Sequence, residues 1–88
     1  MSEPTLHELD ALAAEELGAA CTLTWRELAR ITPWGDAYRG FTPSGAEVDI
    51  ERAYLWSEGE DGDVLCEVIV RGLGTEAQAA CVVKKPAG

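Results

Sequence analysis

The sequence has little positive charge and little histidine or cysteine. Seven Lys and Arg stand against sixteen Asp and Glu, which gives a net charge of −9. Direct binding to nucleic acid or to an anionic membrane needs clustered positive charge, so we expect neither. His7 is the only histidine, and no nucleophile motif accompanies it. We therefore expect a protein that is not an enzyme and that holds no metal and no cofactor.

Cysteines and long apolar runs are also scarce. Cys21, Cys66 and Cys81 are widely spaced and form no CxxC motif, so the sequence predicts no disulfide framework. We expect all three thiols to be reduced and buried, with an approach of Cys66 to Cys81 as the alternative. No apolar run reaches the roughly 18 residues of a transmembrane helix. Five acidic residues in the first 20 positions do not fit a signal peptide, so we expect a cytoplasmic location.

The composition that remains is typical of one compact domain. Of the 88 residues, 47% are hydrophobic and 26% are charged, which is ordinary for a folded chain and unlike a disordered one. A chain of this length is too short for two independent cores. We expect a single domain over residues 1–88, with flexible ends at residues 1–4 and 84–88.

Two helices are predicted in the first third of the chain. Thr5 and Glu8 have the spacing of a capping box, and an apolar stripe follows at helical intervals. The stripe consists of Leu6, Leu9, Ala13, Leu17 and Ala20. Gly18 weakens the last turn, so we expect this helix to end between Leu17 and Ala20. Thr24 opens a second capping box, and a short helix is expected from there until just before Pro33.

The rest of the chain has the pattern of an antiparallel meander. Strands are predicted at residues 36–42, 46–57 and 64–71, with a turn that contains Pro43 and Gly45. Four consecutive apolar residues end the second strand, so that part is either buried on both faces or bulged. The tail, residues 75–83, fits a short helix by its capping-box spacing and a fourth strand by its apolar residues.

The predicted fold class is α+β. Two N-terminal helices pack on one face of a three- or four-stranded antiparallel sheet, and a short C-terminal helix is possible.

The acidic residues are concentrated in two segments. Residues 1–25 carry a charge of −5 and residues 45–67 a charge of −7. In the second segment Glu47, Asp49 and Glu51 alternate along a strand, so their side chains share one face at intervals of about 7 Å, near the phosphate spacing of a nucleic-acid strand. Like charges in a row repel one another unless they face water or a cationic partner. The row is therefore a candidate surface for binding a basic protein.

The turn after this strand adds four more carboxylates, from Glu58, Glu60, Asp61 and Asp63. Their spacing does not match the twelve-residue calcium loop, so we interpret them as part of the same negative surface. The alternative interpretation is an acidic surface that only keeps the protein soluble.

Tryptophan is the aromatic residue with most bearing on an interface, because Trp, Tyr and Arg anchor protein–protein contacts. The chain contains Trp25, Trp34 and Trp56. We expect Trp25 and Trp56 to lie in the core. Trp34, in a Pro-Trp-Gly turn beside Asp36, is the one expected at the surface, so Trp34 and Asp36 join the candidate partner-binding residues.

In size and acidity the chain resembles the small inhibitors that phages and mobile elements use against host nucleic-acid machinery, including anti-CRISPR proteins and DNA mimics. The resemblance is one of class and covers no motif. It implies a binding or inhibitory protein that places its negative surface on a basic protein partner, for example one that itself binds nucleic acid. The alternative is a structural or assembly adaptor that forms a homodimer or pairs through a sheet edge.

Overall fold

The computed structural model describes residues 5–72 and 74–87, which form two helices and one four-stranded antiparallel sheet. The elements in chain order are α1 (Leu6–Cys21), α2 (Trp25–Ile31), β1 (Trp34–Phe41), β2 (Glu47–Trp56), β3 (Val64–Gly72) and β4 (Thr75–Val83). The strand order is β1-β2-β3-β4, so each strand pairs with its neighbour in sequence. The predicted α+β class is confirmed. Over this part of the chain no helix has both the length and the apolar character needed to cross a membrane.

Helix α1 begins at the capping box that the sequence predicts. The Glu8 N–H donates to Thr5 Oγ1 at 3.1 Å, and the Thr5 N–H donates to Glu8 Oε1 at 3.3 Å. The helix continues through Gly18 to Cys21, one residue beyond the expected end. Its last turn buries Ala20 against the sheet, and this tertiary packing outweighs the low helix propensity of glycine.

Helix α2 also starts at its predicted cap, where the Glu27 N–H donates to Thr24 Oγ1 at 3.2 Å. It ends at Ile31, before Pro33, which cannot supply the next backbone donor. Leu28 on its inner face is completely buried. It packs next to Val64 and Cys66 of β3, and Trp25 at the start of the helix packs on the same cluster.

The core lies between the two helices and one face of the sheet, with α1 over β3 and β4 and α2 over β3. Alternate side chains of the strands point to that face. Its first cluster is Leu9, Ala13, Val48, Ile50, Val68, Val70 and Ala77, and its second is Ala20, Leu28, Tyr54, Val64 and Cys66. Neither of the two helices in residues 5–72 and 74–87 covers the other face of the sheet.

The tail at residues 75–83 is strand β4, so the possible C-terminal helix is wrong. Ala77 and Ala79 face α1, and their small side chains let the helix lie close to the strand. Glu76 and Gln78 point the other way. This alternation of small and polar residues is typical of a strand. The sequence left the choice open because the capping-box spacing at Thr75 favoured a helix.

Strand β2 follows neither of its two expected variants. Its pairing runs residue for residue to Tyr54 with β1 and to Trp56 with β3, so it has no bulge there. Leu55 is 40% exposed on the uncovered face. Strand β1 starts earlier than expected because Trp34 pairs with Tyr54 and stacks on its ring at 4.9 Å. The turn before β2 is as predicted, with Gly45 at a φ of +88° and its N–H donating to Thr42 O at 2.8 Å.

The structure describes only part of the two ends that the sequence predicts to be flexible. Residues 1–4 lie outside the described residues. Residues 84–87 follow β4 without regular structure, and the Lys85 N–H donates to Asp63 Oδ1 at 2.9 Å.

Candidate functional site

The uncovered face of the sheet, here called the open face, carries most of the predicted partner-binding row. Its side chains are Gly35, Ala37, Arg39 and Phe41 of β1, Glu47, Asp49, Glu51, Ala53 and Leu55 of β2, Leu65, Glu67, Ile69 and Arg71 of β3, and Glu76, Gln78, Ala80 and Val82 of β4. Charged residues gather toward the start of β2, and apolar and small residues gather toward its end. The open face therefore has a charged half and an apolar half.

In the charged half the predicted carboxylate row meets two arginines from the neighbouring strands. Arg39 of β1 lies opposite Asp49, and its Nε is 3.6 Å from Asp49 Oδ1. Its Nη1 also donates to Glu47 Oε1 at 3.0 Å. One guanidinium thus lies between two members of the row.

On the other side of β2, Arg71 of β3 takes the third carboxylate. Its Nη1 is 2.6 Å from Glu51 Oε1, and its Nε donates to Glu76 Oε1 of β4 at 2.6 Å. Hydrogen bonds to these two carboxylates, Glu51 first, raise the pKa of Arg71 above its ordinary value. Glu47, Asp49 and Glu51 are therefore all ion-paired within the chain, and they do not form the bare anionic row that mimicry of phosphates requires.

The apolar half is built from a row of large side chains and a patch of small ones. Leu55, Leu65 and Val82 lie opposite one another on three adjacent strands, with Leu55 40% and Val82 46% exposed. The small residues beside them are Gly35, Ala37, Ala53 and Ala80. Exposed apolar side chains that adjoin one another in a patch are a feature of sites that bind another molecule.

A shallow depression of about 410 Å³ lies in the apolar half, where the small residues leave room. Its lining includes Gly35, Ala37 and Ala53, with Ile69 on one side. Glu67 lies among these residues, opposite Ala53 on β2 and Ala80 on β4. Glu67 is half-buried as a residue and lies among small and apolar residues, with Glu51 also in the lining of the depression.

The acidic loop at residues 58–63 lies at the far end of β2 from Asp49, about 30 Å away along an extended strand. It is held by hydrogen bonds: Trp25 Nε1 donates to Gly62 O at 2.9 Å, and the Ser57 N–H donates to Asp63 O at 2.9 Å. Glu58, Glu60 and Asp61 are exposed, and Asp63 is half-buried. The loop and the strand row therefore do not form one continuous surface, since the apolar half lies between them.

Trp34 and Asp36 lie on the opposite, helix-bearing side of β1, in a group that we call the Arg52 cluster and that also contains Glu16 and Tyr38. Arg52 Nε donates to Asp36 Oδ1 at 2.8 Å, and Arg52 Nη2 donates to the other carboxylate oxygen. The guanidinium carbon is 5.3 Å from the Trp34 ring centroid and 4.9 Å from that of Tyr38. The Arg52 hydrogen bonds hold the pKa of Asp36 below its ordinary value.

Glu16 of α1 completes this cluster, with Oε2 4.0 Å from Arg52 Nη1. Burial, followed by the neighbouring Glu16, raises the pKa of Tyr38 to about 12, so its hydroxyl stays protonated at neutral pH. The charge of Arg52 is met by two carboxylates, and the cluster joins α1 to β1. Trp34 and Asp36 thus serve the fold on one side of the sheet, while the strand row lies on the other.

The remaining tryptophans differ from their expected places in the core. Trp25 and Trp56 are both half-buried, as Trp34 is. The Trp25 ring packs on the second core cluster, has Lys85 Nζ 5.4 Å from its centroid and holds the acidic loop through its indole N–H. The indole N–H of Trp25 thus makes its hydrogen bond at the surface, and the ring could not reach the loop if it were fully buried.

The three cysteines also depart from the expected uniform burial. All are free: Cys66 is buried, Cys81 is half-buried and Cys21 is exposed. Cys66 and Cys81 face each other across β3 and β4, which was the alternative expectation. Although Cys21 is exposed as a residue, partial loss of hydration at its sulfur, and next the neighbouring Cys81, raises its pKa to about 11. A thiol with that pKa is almost entirely protonated at neutral pH and reacts slowly.

No group of three His, Cys, Asp or Glu side chains among the described residues is arranged to hold a metal ion. Comparison with protein-family models, with curated proteins and with solved structures found no match for the chain.

Sequence reasoning missed the apolar half of the open face and Glu67 at its centre. The signal was present in the alternation of β2, where Ala53 and Leu55 continue the same face as Glu47, Asp49 and Glu51. That face changes from acidic to apolar along one strand. The predicted site included only the charged residues of this face, so it stopped where the face becomes apolar.

Proposed function

We propose that this chain is a small, non-enzymatic protein-binding module that docks a basic protein partner on the open face of its sheet. The observation that carries the proposal is the apolar half of that face, which has carboxylates at both of its ends. The charged half borders it on one side, and the acidic loop at residues 58–63 borders it on the other.

The apolar half supplies one part of the attraction between the two proteins, and the charge of the open face supplies the part that salt weakens. Leu55, Leu65 and Val82 form a row across three strands, and Ala53 and its small neighbours let another backbone come close. Burial of such surface stabilises a complex by about 25 cal/mol for each Å² removed from water. A partner with apolar side chains in the middle of its contact and basic ones around them would match this arrangement.

The charge of the open face favours a basic partner over a second copy of the chain. The face carries five carboxylates against the two guanidiniums of Arg39 and Arg71, which leaves −3. A homodimer through this face would bring −3 against −3, in a chain whose total is −9. A cationic partner would instead be steered toward the face, most strongly at low salt.

Inhibition of a nucleic-acid-binding protein is one form of this proposal, because a partner that uses the same basic surface for nucleic acid would lose it on docking. The proposal does not rest on mimicry of phosphates, since Arg39 and Arg71 occupy the strand carboxylates. The location that we propose is the cytoplasm. The free thiols of Cys21, Cys66 and Cys81 are compatible with that reducing compartment.

A matched pair of charge variants tests the docking surface. Ala80→Arg places a long cation on the open face, whereas Ala11→Arg makes the same charge change on the exposed side of α1. Wild type and both variants would be immobilised and exposed to extract from the cells that make the chain, at two salt concentrations. We expect Ala80→Arg to reduce capture of a specific basic protein at least about tenfold, and Ala11→Arg to change it little.

The proposal requires that mass spectrometry identify the captured protein as basic and that raised salt release it. Equal capture by Ala80→Arg and the wild type would overturn it, as would a captured protein that is acidic. Analytical ultracentrifugation gives a third criterion. A wild-type dimer that Ala80→Arg converts to a monomer would show that a second copy occupies the open face, and would also overturn the proposal.

A further inference from the structure

The depression in the open face has the features of a receptor for one long cationic side chain. It is about 410 Å³ in volume, is open to solvent and has mostly apolar walls. Its lining includes Gly35, which has no side chain, and Ala37 and Ala53, whose side chains end at Cβ. These small residues leave the space open. From these features and from Glu67 we infer that the depression binds an arginine side chain of the partner. This inference rests on the function proposed above.

Glu67 supplies the reason for a cation. None of the ion pairs among the described residues includes it. Its Oε2 accepts a hydrogen bond from Gln78 Nε2 at 3.1 Å, while its Oε1 accepts none from the residues that the structure describes. The Gln78 amide fixes the carboxylate in place without neutralising it. A carboxylate with one oxygen still available can accept charge-assisted hydrogen bonds from an incoming cation.

Glu51 adds a second carboxylate at the border of the depression. It lies diagonally across the β2–β3 pair from Glu67, roughly 7–8 Å away by the usual geometry of such pairs. Its Oε1 is bound by Arg71, so its other oxygen is the one left to accept a further hydrogen bond. A planar guanidinium, with five donors in a fork, can reach two acceptors at once.

Arginine fits these walls better than lysine does. Ile69 and Ala53 offer apolar surface for the methylene stem of the side chain, which arginine and lysine share. The guanidinium is more weakly hydrated than an ammonium ion, so it enters a half-buried, largely apolar site at a smaller cost. Lysine should therefore bind in the same place and more weakly.

The test uses small probes of one side chain and ¹⁵N-labelled full-length protein. N-acetyl-arginine amide would be titrated and followed by NMR, beside N-acetyl-lysine amide and N-acetyl-citrulline amide, the neutral isostere of the arginine probe. We expect saturable amide shifts at Gly35, Ala37, Ala53 and Ile69 in the millimolar range. The lysine probe should bind several-fold more weakly, and the citrulline probe should give no saturable shift.

Three variants show whether the shifts arise in the depression. Glu67→Gln removes the charge, and Ala37→Leu fills the space without changing charge, so each should abolish the shifts. Glu60→Gln makes the same charge change in the acidic loop and should leave them as in the wild type. The spectrum of each variant reports its fold directly.

Equal shifts with citrulline, or shifts that survive Glu67→Gln, would overturn the inference. So would the absence of any saturable shift in a folded wild-type protein. These results are independent of partner capture. If Ala80→Arg abolishes capture while arginine does not bind, the arginine receptor is wrong and the docking surface stands. If arginine binds while Ala80→Arg retains the partner, the proposed function is wrong.

Discussion

Arg52 shows, at the scale of single residues, how one charged side chain can cover part of a sheet. Helix α1 packs on β3 and β4, so β1 and the adjoining part of β2 lie toward its margin. There the Arg52 guanidinium lies against the Trp34 and Tyr38 rings and binds Asp36 through two oxygens. The Arg52 side chain is 30% exposed, so it has lost most of its contact with water. The interaction with the Asp36 carboxylate offsets the free-energy cost of that lost hydration.

Loss of the Asp36 charge is expected to weaken the fold. Asp36→Asn keeps the size of the side chain but removes the charged acceptor from Arg52, so we expect the free energy of unfolding to fall by about 1 kcal/mol at neutral pH. Urea unfolding followed by circular dichroism measures this change. Asp10→Asn on the exposed side of α1 is the control and should change stability by less than about 0.5 kcal/mol.

The effect of Asp36→Asn should also depend on pH in a definite direction. The pKa of Asp36 is lower in the folded than in the unfolded chain because Arg52 binds the ionised form. Its contribution is therefore fully present above the unfolded pKa of about 3.9 and is lost as the pH falls through the folded value. The difference between wild type and Asp36→Asn should shrink on acidification, and a difference that grows would contradict this assignment.

Two glycines show, at the scale of elements, that the same substitution can have opposite effects. Gly18 lies within α1 and Gly45 in the turn before β2, where its φ is +88°, and a Cβ added at either would meet nothing within 4 Å. We expect Gly18→Ala to stabilise the fold by about 0.5–1 kcal/mol, through higher helix propensity. Gly45→Ala should destabilise it by roughly 1 kcal/mol, because L-residues avoid that φ.

Thermal or urea unfolding of both glycine variants checks this pair. Equal stabilisation of both variants would mean that the lower entropy of the unfolded chain outweighs backbone conformation at Gly45, against our expectation.

The elements also show which parts of the structure the sequence could predict. Both helix starts were predictable because Thr5 and Thr24 make their capping bonds within three residues. Strand β4 was ambiguous because the reason for its small residues is the packing of α1 on them, and α1 is distant in sequence. Likewise, the pairing of Arg39 and Arg71 with the carboxylate row depends on strand register, which brings together residues far apart in sequence.

For the molecule as a whole, the excess of negative charge is distributed unevenly. The ion pairs occupy the charged half of the open face and the Arg52 cluster. Glu58, Glu60 and Asp61 are exposed together at the β2–β3 end, in no ion pair among the described residues. With a net charge of −9, repulsion between unpaired carboxylates opposes the compact state.

Salt should therefore stabilise this protein. Raising the ionic strength from about 10 mM to about 150 mM screens the repulsion, and the exposed ion pairs that it also weakens contribute little. We expect the urea midpoint to rise over this range. Glu60→Lys, which relieves repulsion in the loop, should show a smaller rise. A midpoint that falls with salt would instead mean that the ion pairs outweigh the repulsion.

The bond from Trp25 to Gly62 and the bond from Lys85 to Asp63 join three distant parts of the chain at one point. The start of α2, the tip of the β2–β3 hairpin and the segment after β4 are therefore fastened to one another through residues 62 and 63. A protein that pulled the hairpin tip away from the sheet would have to break both hydrogen bonds, so the tip is held at a cost beyond that of its own turn.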